Sequence, residues 1–268
     1  MIRRSRAMTR VTTTIADHVA HVELSRPDKM NAVDPDMLSG LIAAGEALRG
    51  NREVRAVVLS GQGRAFSAGL DVASFGGLVQ GDPHDALMPR THGASNDYQH
   101  VAMVWSQLEV PVIAALHGIC FGAGLQIASG ADIRIAAPDT RLCIMEMKWG
   151  LVPDMGGMVL WPRLMRADVL ARLTYTGEEF SGAEALDYGL VTEMNVDPVG
   201  RAQELAGLIA SKSPSAVRAS KALISYAFEN GPEAVLLEES RAQADLIGTP
   251  DQMEAVMANM QKRAPVFK

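Results

Sequence analysis

The sequence predicts an α/β core followed by an all-helical C-terminal extension, and three observations carry that expectation. Short runs of Val, Ile and Leu, such as Val54 to Ser60, alternate with helix-like segments as far as about residue 197. Beyond Pro198 the strand pattern stops, and Pro214, Pro232 and Pro250 break the remainder into helix-length pieces. No internal repeat or low-complexity tract interrupts the chain, so strands with helices first and helices alone afterwards read as one core with an appendage.

The elements follow in order. "VTTTIADHVAHVEL" alternates apolar and polar residues on either side of Asp17-His18, a β-hairpin pattern. "RPDKMNAV" reads as a loop, and "DPDMLSGLIAAGEALRG" opens a helix with Asp34 as N-cap and Pro35 at the first helical position. After the buried strand at 54–60, "QGRAFSAGLDV" is a glycine-bearing loop. Residues 76–97, rich in Gly, Pro, His and Asp, are expected to form a mobile surface segment. A helix is expected from about Asp97 to Glu109, stopped by Pro111. "PVIAALHG" is the next strand, "FGAGLQIASG" a glycine turn running into a helix, and "ADIRIAA" and "RLCIMEM" two strands around a turn at Asp139. Short helices are expected around 157–165, 168–176 and 181–188, with Gly189 as a stop, then a strand from Val191 to Asn195.

Composition narrows the function classes. A chain of 268 residues with 48% hydrophobic and 21% charged residues suits a soluble globular protein with a sizeable core. A net charge of −6 disfavours nucleic acid or an anionic membrane as main partner, but not a small anionic ligand held locally. No run of 18 apolar residues is present. Cys120 and Cys143 lie in apolar runs without C-x-x-C spacing, which points to buried thiols in a reducing, cytoplasmic setting. His84, His92, His100 and His117 lack ligand-like spacing, so neither a metal nor a redox cofactor is expected. The basic "MIRRSRAMTR" has no apolar stretch after it; residues 1–10 are expected as a disordered tail rather than a signal peptide, with Met8 an alternative start.

Two glycine loops, "AFSAGLD" and "FGAG", lie about fifty residues apart, each after a predicted strand. Each lets the backbone turn tightly beside a ligand, and two convergent N–H groups from different loops are what an oxyanion hole needs. Either loop alone is also what an ordinary strand-end turn looks like. Gly122-x-Gly124 with Glu146 downstream could suggest a dinucleotide site, but Ile127 fills the third glycine position. Glu146 sits among Ile144, Met145, Met147 and Trp149, where its charged form is disfavoured and its pKa raised toward proton transfer; a half-exposed strand residue is the plainer alternative. Asp154, in Pro-Asp before two glycines, reads first as turn chemistry.

Taken together, "RPDKMNAV" (26–33), "GRAFSAGLDV" (63–72), "HGICFGAGLQIASGADIRIAA" (117–137), "MEMKWGLVPDMGG" (145–157) and "YTGEEFSGAEALDYGLVTEM" (175–194) resemble the crotonase superfamily, the enoyl-CoA hydratase/isomerase family. The resemblance runs from about residue 11 to the C-terminus. It implies a spiral of ββα units over 11–197, and over 198–268 a helical region that assembles a homotrimer or a dimer of trimers. It implies an acyl-CoA thioester as partner, with coenzyme A as part of the substrate and no further cofactor. The shared chemistry is stabilisation of a thioester enolate by two backbone N–H groups, which fall here on Leu70 and Ala123. Coenzyme A contacts are expected from the Lys29 to Ala32 loop, with Lys29 near phosphate or simply solvated, and from Ala68, Leu70, Asp71, Val72, Gly122 and Ala123. The acyl pocket is expected to draw on Leu78, Leu87, Met88, Trp105 and Trp149.

One departure stands out. Hydratases of this family carry two glutamates; Glu146 matches the second, whereas Gln126 occupies the place of the first. An amide can donate and accept hydrogen bonds but cannot exchange protons at neutral pH. The resemblance therefore implies isomerase-type proton transfer through Glu146, with Asp154 matching an aspartate of the dienoyl-CoA isomerases. The alternatives are a one-glutamate hydratase in which Gln126 orients water, as in fatty-acid β-oxidation, and an acyl-CoA-binding protein without catalysis.

Overall fold

Asp17 and His18 sit at φ +48° and +65°, the left-handed pair that a two-residue hairpin turn requires. Strands β1 (Val11–Ala16) and β2 (Val19–Leu24) therefore pair antiparallel, with Val11 opposite Leu24. This computed structural model describes residues 9–74 and 82–267. Most of the basic tail, Leu78 and the first part of the 76–97 segment lie outside the described residues.

β3 (Ala56–Gly61) shows why a strand can be apolar throughout. Successive side chains point to opposite faces, and here both faces are covered. Val57 and Leu59 pack into the main core with Met37 and Leu41 of α1 (Pro35–Leu48), while Ala56 and Val58 meet Ala202 and Ala206 of α8 (Pro198–Ala210) on the other side. The larger sheet runs β1-β2-β3-β4-β6-β9, and a smaller one runs β5-β7-β8. Here β4 is Val112–Leu116, β5 Ile119–Phe121, β6 Ile133–Ala136, β7 Arg141–Cys143, β8 Glu179–Ser181 and β9 Glu193–Met194. Consecutive strands go to different sheets: β4 then β5, β6 then β7, and β8 then β9, so the chain winds between two layers as a crotonase spiral does.

The remaining helices are α2 (Pro83–Leu87), α3 (Asp97–Ser106), α4 (Ala123–Ser129), α5 (Gly157–Leu160), α6 (Ala167–Thr176), α7 (Gly182–Asp187), α9 (Pro214–Ala227), α10 (Pro232–Leu246) and α11 (Pro250–Gln261). The four C-terminal prolines start helices. Each occupies the first turn, and Asp197, Ser213 and Thr249 cap theirs by accepting from the amides of Gly200, Ala216 and Gln252. α10 buries none of its residues and packs mainly along α9.

Several boundaries differ from expectation. α3 stops at Ser106, because Leu108 and Val110 are drawn into the core ahead of Pro111. Within the segment expected to be a mobile surface stretch, Pro83–Leu87 form α2. Glu146 does not end a strand: β7 stops at Cys143, and Glu146 opens a 3-10 turn to Trp149. Cys120 and Cys143 are buried free thiols, and burial pushes Cys143 up to about 12. No helix of the described residues is long and apolar enough to cross a membrane.

Candidate active site

Three loops converge where the two sheets meet. The first leaves β3 and is zipped to β5: Phe66 N–H donates to His117 O, Ser67 N–H to Ile119 O, and Phe121 N–H to Ser67 O. The second is the Gly122 turn from β5 into α4. The third runs from β7 to α5.

The peptide planes decide which amides are free. Val33 N–H donates to Gly69 O at 2.8 Å, and Asp71 N–H donates to Val33 O at 2.9 Å. A trans peptide points its C=O and N–H in opposite directions. Since Gly69 O faces Val33, the Leu70 N–H faces away from it, and it donates to no other described residue. The Ala123 N–H, at the first position of α4, likewise donates to none, as the opening amides of a helix do. The two loops touch: a Cβ on Gly69 would lie 2.8 Å from Phe121 O and 3.7 Å from Ala123 N. Gly69 at φ +91° and Gly122 at φ +47° supply the turns that bring both amides to one place.

Glu146 stands beside this pair. A Cβ on Gly122 would lie 3.4 Å from Glu146 Oε1. That oxygen accepts from Gln126 Nε2 at 2.7 Å, whereas Glu146 Oε2 is buried with no hydrogen-bond partner among the described residues. Desolvation is the largest cause of a raised Glu146 pKa. The carboxylate of Asp154 adds to the rise, while the backbone amide of Glu146 and the Gln126 amide pull against it. Gln126 is fully buried. Its oxygen accepts from Met155 N–H at 2.8 Å and Gly157 N–H at 3.0 Å, which fixes the orientation of the amide and leaves its nitrogen for Glu146. Gln126 is therefore a brace between Glu146 and the 155–157 turn.

Asp154 lines the same pocket, exposed at its rim, and desolvation raises its pKa too. The pocket, about 560 Å³ and open to solvent, is otherwise walled by Val72, Met145, Trp149, Leu151, Val152 and Met155, along with the two glycine loops. Two acids with raised pKa in an apolar pocket beside two free amides can remove a proton next to a carbonyl and stabilise the enolate that results.

Of the residues expected here, Glu146, Asp154, Ala68, Leu70, Val72, Gly122 and Ala123 line the pocket. Lys29, Ala32 and Asp71 do not. Ala68 spends its N–H on Met30 O. Ala32 O accepts from Arg26 Nη1 at 3.1 Å, and Asp71 Oδ2 accepts from the same nitrogen at 2.6 Å. Lys29 is exposed at the end of a short 3-10 turn. Among the side chains expected to shape the acyl pocket, Trp149 lines it, Trp105 is fully buried in the core, and Leu87 and Met88 stand away from it. Sequence reasoning missed Arg26, Asn31 and Ser67. Asn31 Nδ2 donates to Gln62 O and Ala65 O, and Ser67 Oγ donates to Asn31 O. No sequence cue marked them; in the structure Met30 and Asn31 both hold positive φ without being glycine.

A family model for enoyl-CoA hydratase/isomerase matches residues 14–268. The chain belongs to the enoyl-CoA hydratase/isomerase family. As a member of this crotonase-fold family it is an enzyme, and its relatives span both halves of the family name. It is 32% identical over 258 residues to the mitochondrial Delta(3,5)-Delta(2,4)-dienoyl-CoA isomerase of Mus musculus, covering 94% of this chain and 79% of that one. It is 31% identical over 264 residues to the (E)-benzylidenesuccinyl-CoA hydratase of Thauera aromatica, covering 96% and 98%. The crystal structure of an enoyl-CoA hydratase from Bacillus anthracis superposes with a TM-score of 0.87 at 30% identity, covering 97% of this chain and 99% of the other.

Proposed function

We propose that this family member moves a double bond in an enoyl-CoA thioester, with Glu146 as the proton carrier. The thioester oxygen sits between the Leu70 and Ala123 amides. Glu146 takes a proton from C2 of a 3-enoyl thioester, the C2 electrons pass into a dienolate whose charge rests on that oxygen, and Glu146 returns the proton at C4. One C–H bond breaks and another forms, so the step balances with protein and thioester alone.

The observation that carries this reading is the state of Gln126. Its oxygen accepts from two backbone amides and one of its N–H groups donates to Glu146, so it has no acceptor left to take a proton from water, and one carboxylate oxygen of Glu146 is left for substrate. Asp154 is a second acid for longer conjugated acyl chains, a role in keeping with the name of the mouse relative. Lys29 is assigned to the phosphates of coenzyme A at the loop edge. The bare faces of α10 and α11 are assigned to contacts within a homotrimer, alone or paired into a hexamer. A second reading, hydration by Glu146, is favoured by the name of the Thauera relative.

The test follows thioester absorbance near the conjugated enoyl band. With 3-enoyl-CoA, fast appearance of the conjugated band is expected, and with trans-2-enoyl-CoA negligible loss. Glu146→Gln should lower the first rate by about 10²- to 10⁴-fold. Fast loss with trans-2-enoyl-CoA, abolished by Glu146→Gln, would establish the hydratase instead. No change in either would overturn both readings.

A further inference from the structure

Leu70 has no side-chain device to aim its amide, so the direction of that N–H is set by whatever fixes the 69–70 peptide. That peptide is held from behind by Val33, in the 26–33 loop. The loop itself is tied down by Arg26. Its backbone N–H donates to Asn31 Oδ1 at 2.8 Å, and its Nη1 reaches three oxygens: Ala32 O at 3.1 Å, Asp71 Oδ2 at 2.6 Å and Asp34 Oδ2 at 3.4 Å. Those oxygens belong to the 26–33 loop, to the residue next to Leu70, and to the N-cap of α1. The side chains are shielded, with 11% of Arg26 and 18% of Asp71 exposed. In such a place an ion pair is screened little and its geometry is held.

We propose that Arg26 and Asp71 are a positioning pair that aims the Leu70 amide at the thioester oxygen; this rests on the oxyanion role proposed above for Leu70. Neither residue lines the pocket, so neither is a catalytic residue. The pair closes a ring: Arg26 to Asp71 through the salt bridge, Asp71 to Val33 through its amide, and Val33 back along the loop to the Ala32 carbonyl that Arg26 also holds. Breaking the ion pair leaves a partly buried carboxylate without its cation. Asp71 then turns toward water and carries the adjoining 70–71 backbone with it.

The test compares purified wild-type enzyme with Arg26→Gln, Arg26→Lys and Asp71→Asn. One readout is steady-state kinetics on whichever enoyl-CoA the enzyme turns over. The other is the absorption of bound cinnamoyl-CoA, whose conjugated carbonyl shifts to the red when hydrogen bonds polarise it. Arg26→Gln is expected to lower kcat about 10- to 100-fold, with KM changing less than about threefold, and to shrink the red shift. Arg26→Lys should recover part of both, because its ammonium can stand where Nη1 stands. Asp71→Asn keeps an acceptor for Arg26 without the charge, so it should lose less, and it carries the test if Arg26→Gln does not fold. A wild-type enzyme that gives no red shift removes the oxyanion reading and this role with it. A wild-type red shift that persists undiminished in folded variants, or losses confined to KM, overturns the positioning role and leaves the proposed function standing.

Discussion

Glu146 is penalised by the fold that holds it. Its folded pKa lies above the ordinary glutamate value, chiefly through desolvation, while in the unfolded chain it returns to that value. Between the two values the folded state binds more protons, so stability falls as pH rises through that window, and above it the ionised carboxylate is a net cost. Glu146→Gln is therefore expected to raise Tm at a pH above that window while removing activity, a difference that a thermal melt resolves. The Gln126 amide works in the opposite sense, since its N–H favours the ionised form. Gln126→Leu should move the acid limb of kcat/KM to higher pH, and should leave the buried Met155 and Gly157 amides without an acceptor, at about 1–3 kcal/mol each. Glu146 was singled out in the sequence through the resemblance of "MEMKWGLVPDMGG", since an acid inside an apolar run reads on its own as a half-exposed strand residue. The Arg26–Asp71 pair could not be read there, because its partners are 45 positions apart and nothing in the spacing of either segment announces the other.

At the scale of elements, the first glycine loop is the most sensitive part of the site. Gly69→Ala would force an L side chain to φ +91° and set its Cβ 2.8 Å from Phe121 O. The strained backbone alone costs roughly 1–3 kcal/mol, and relief of the contact would part the two loops that carry the free amides. Loss of both stability and turnover is expected, read by chemical denaturation and the absorbance assay. Elements written in local signals were legible: the Asp17-His18 hairpin, the Asp34 cap with Pro35, and the proline-led C-terminal helices. The smaller sheet was legible only in β7, inside "RLCIMEM"; β5 and β8 were not. Its strands are three residues long, too short to show a period, and their partners come from distant segments. The 3-10 turn at Glu146 was hidden for a similar reason, since "RLCIMEM" continues a strand-like composition past the last residue that has a strand to pair with.

For the whole molecule, the sequence placed the change from strands to helices near Pro198, but the core runs past it, and what the last helices do was not legible. α8 completes the core by packing on β3 and β4, and Arg55 holds the far end through Ala210 O and Phe267 O. Between them α10 stands clear, with Leu236 and Leu237 62% and 53% exposed. Covering the exposed part of each such side chain contributes about 1–2 kcal/mol. A helix of 15 residues is marginal in water on its own, so in the proposed assembly a neighbouring subunit supplies the burial that α10 lacks. Its order is then governed by mass action rather than by the core. Amide hydrogen exchange at high and low protein concentration should show this directly. On dilution α10 is expected to exchange early while β3 stays protected, so the chain would melt locally by being left alone.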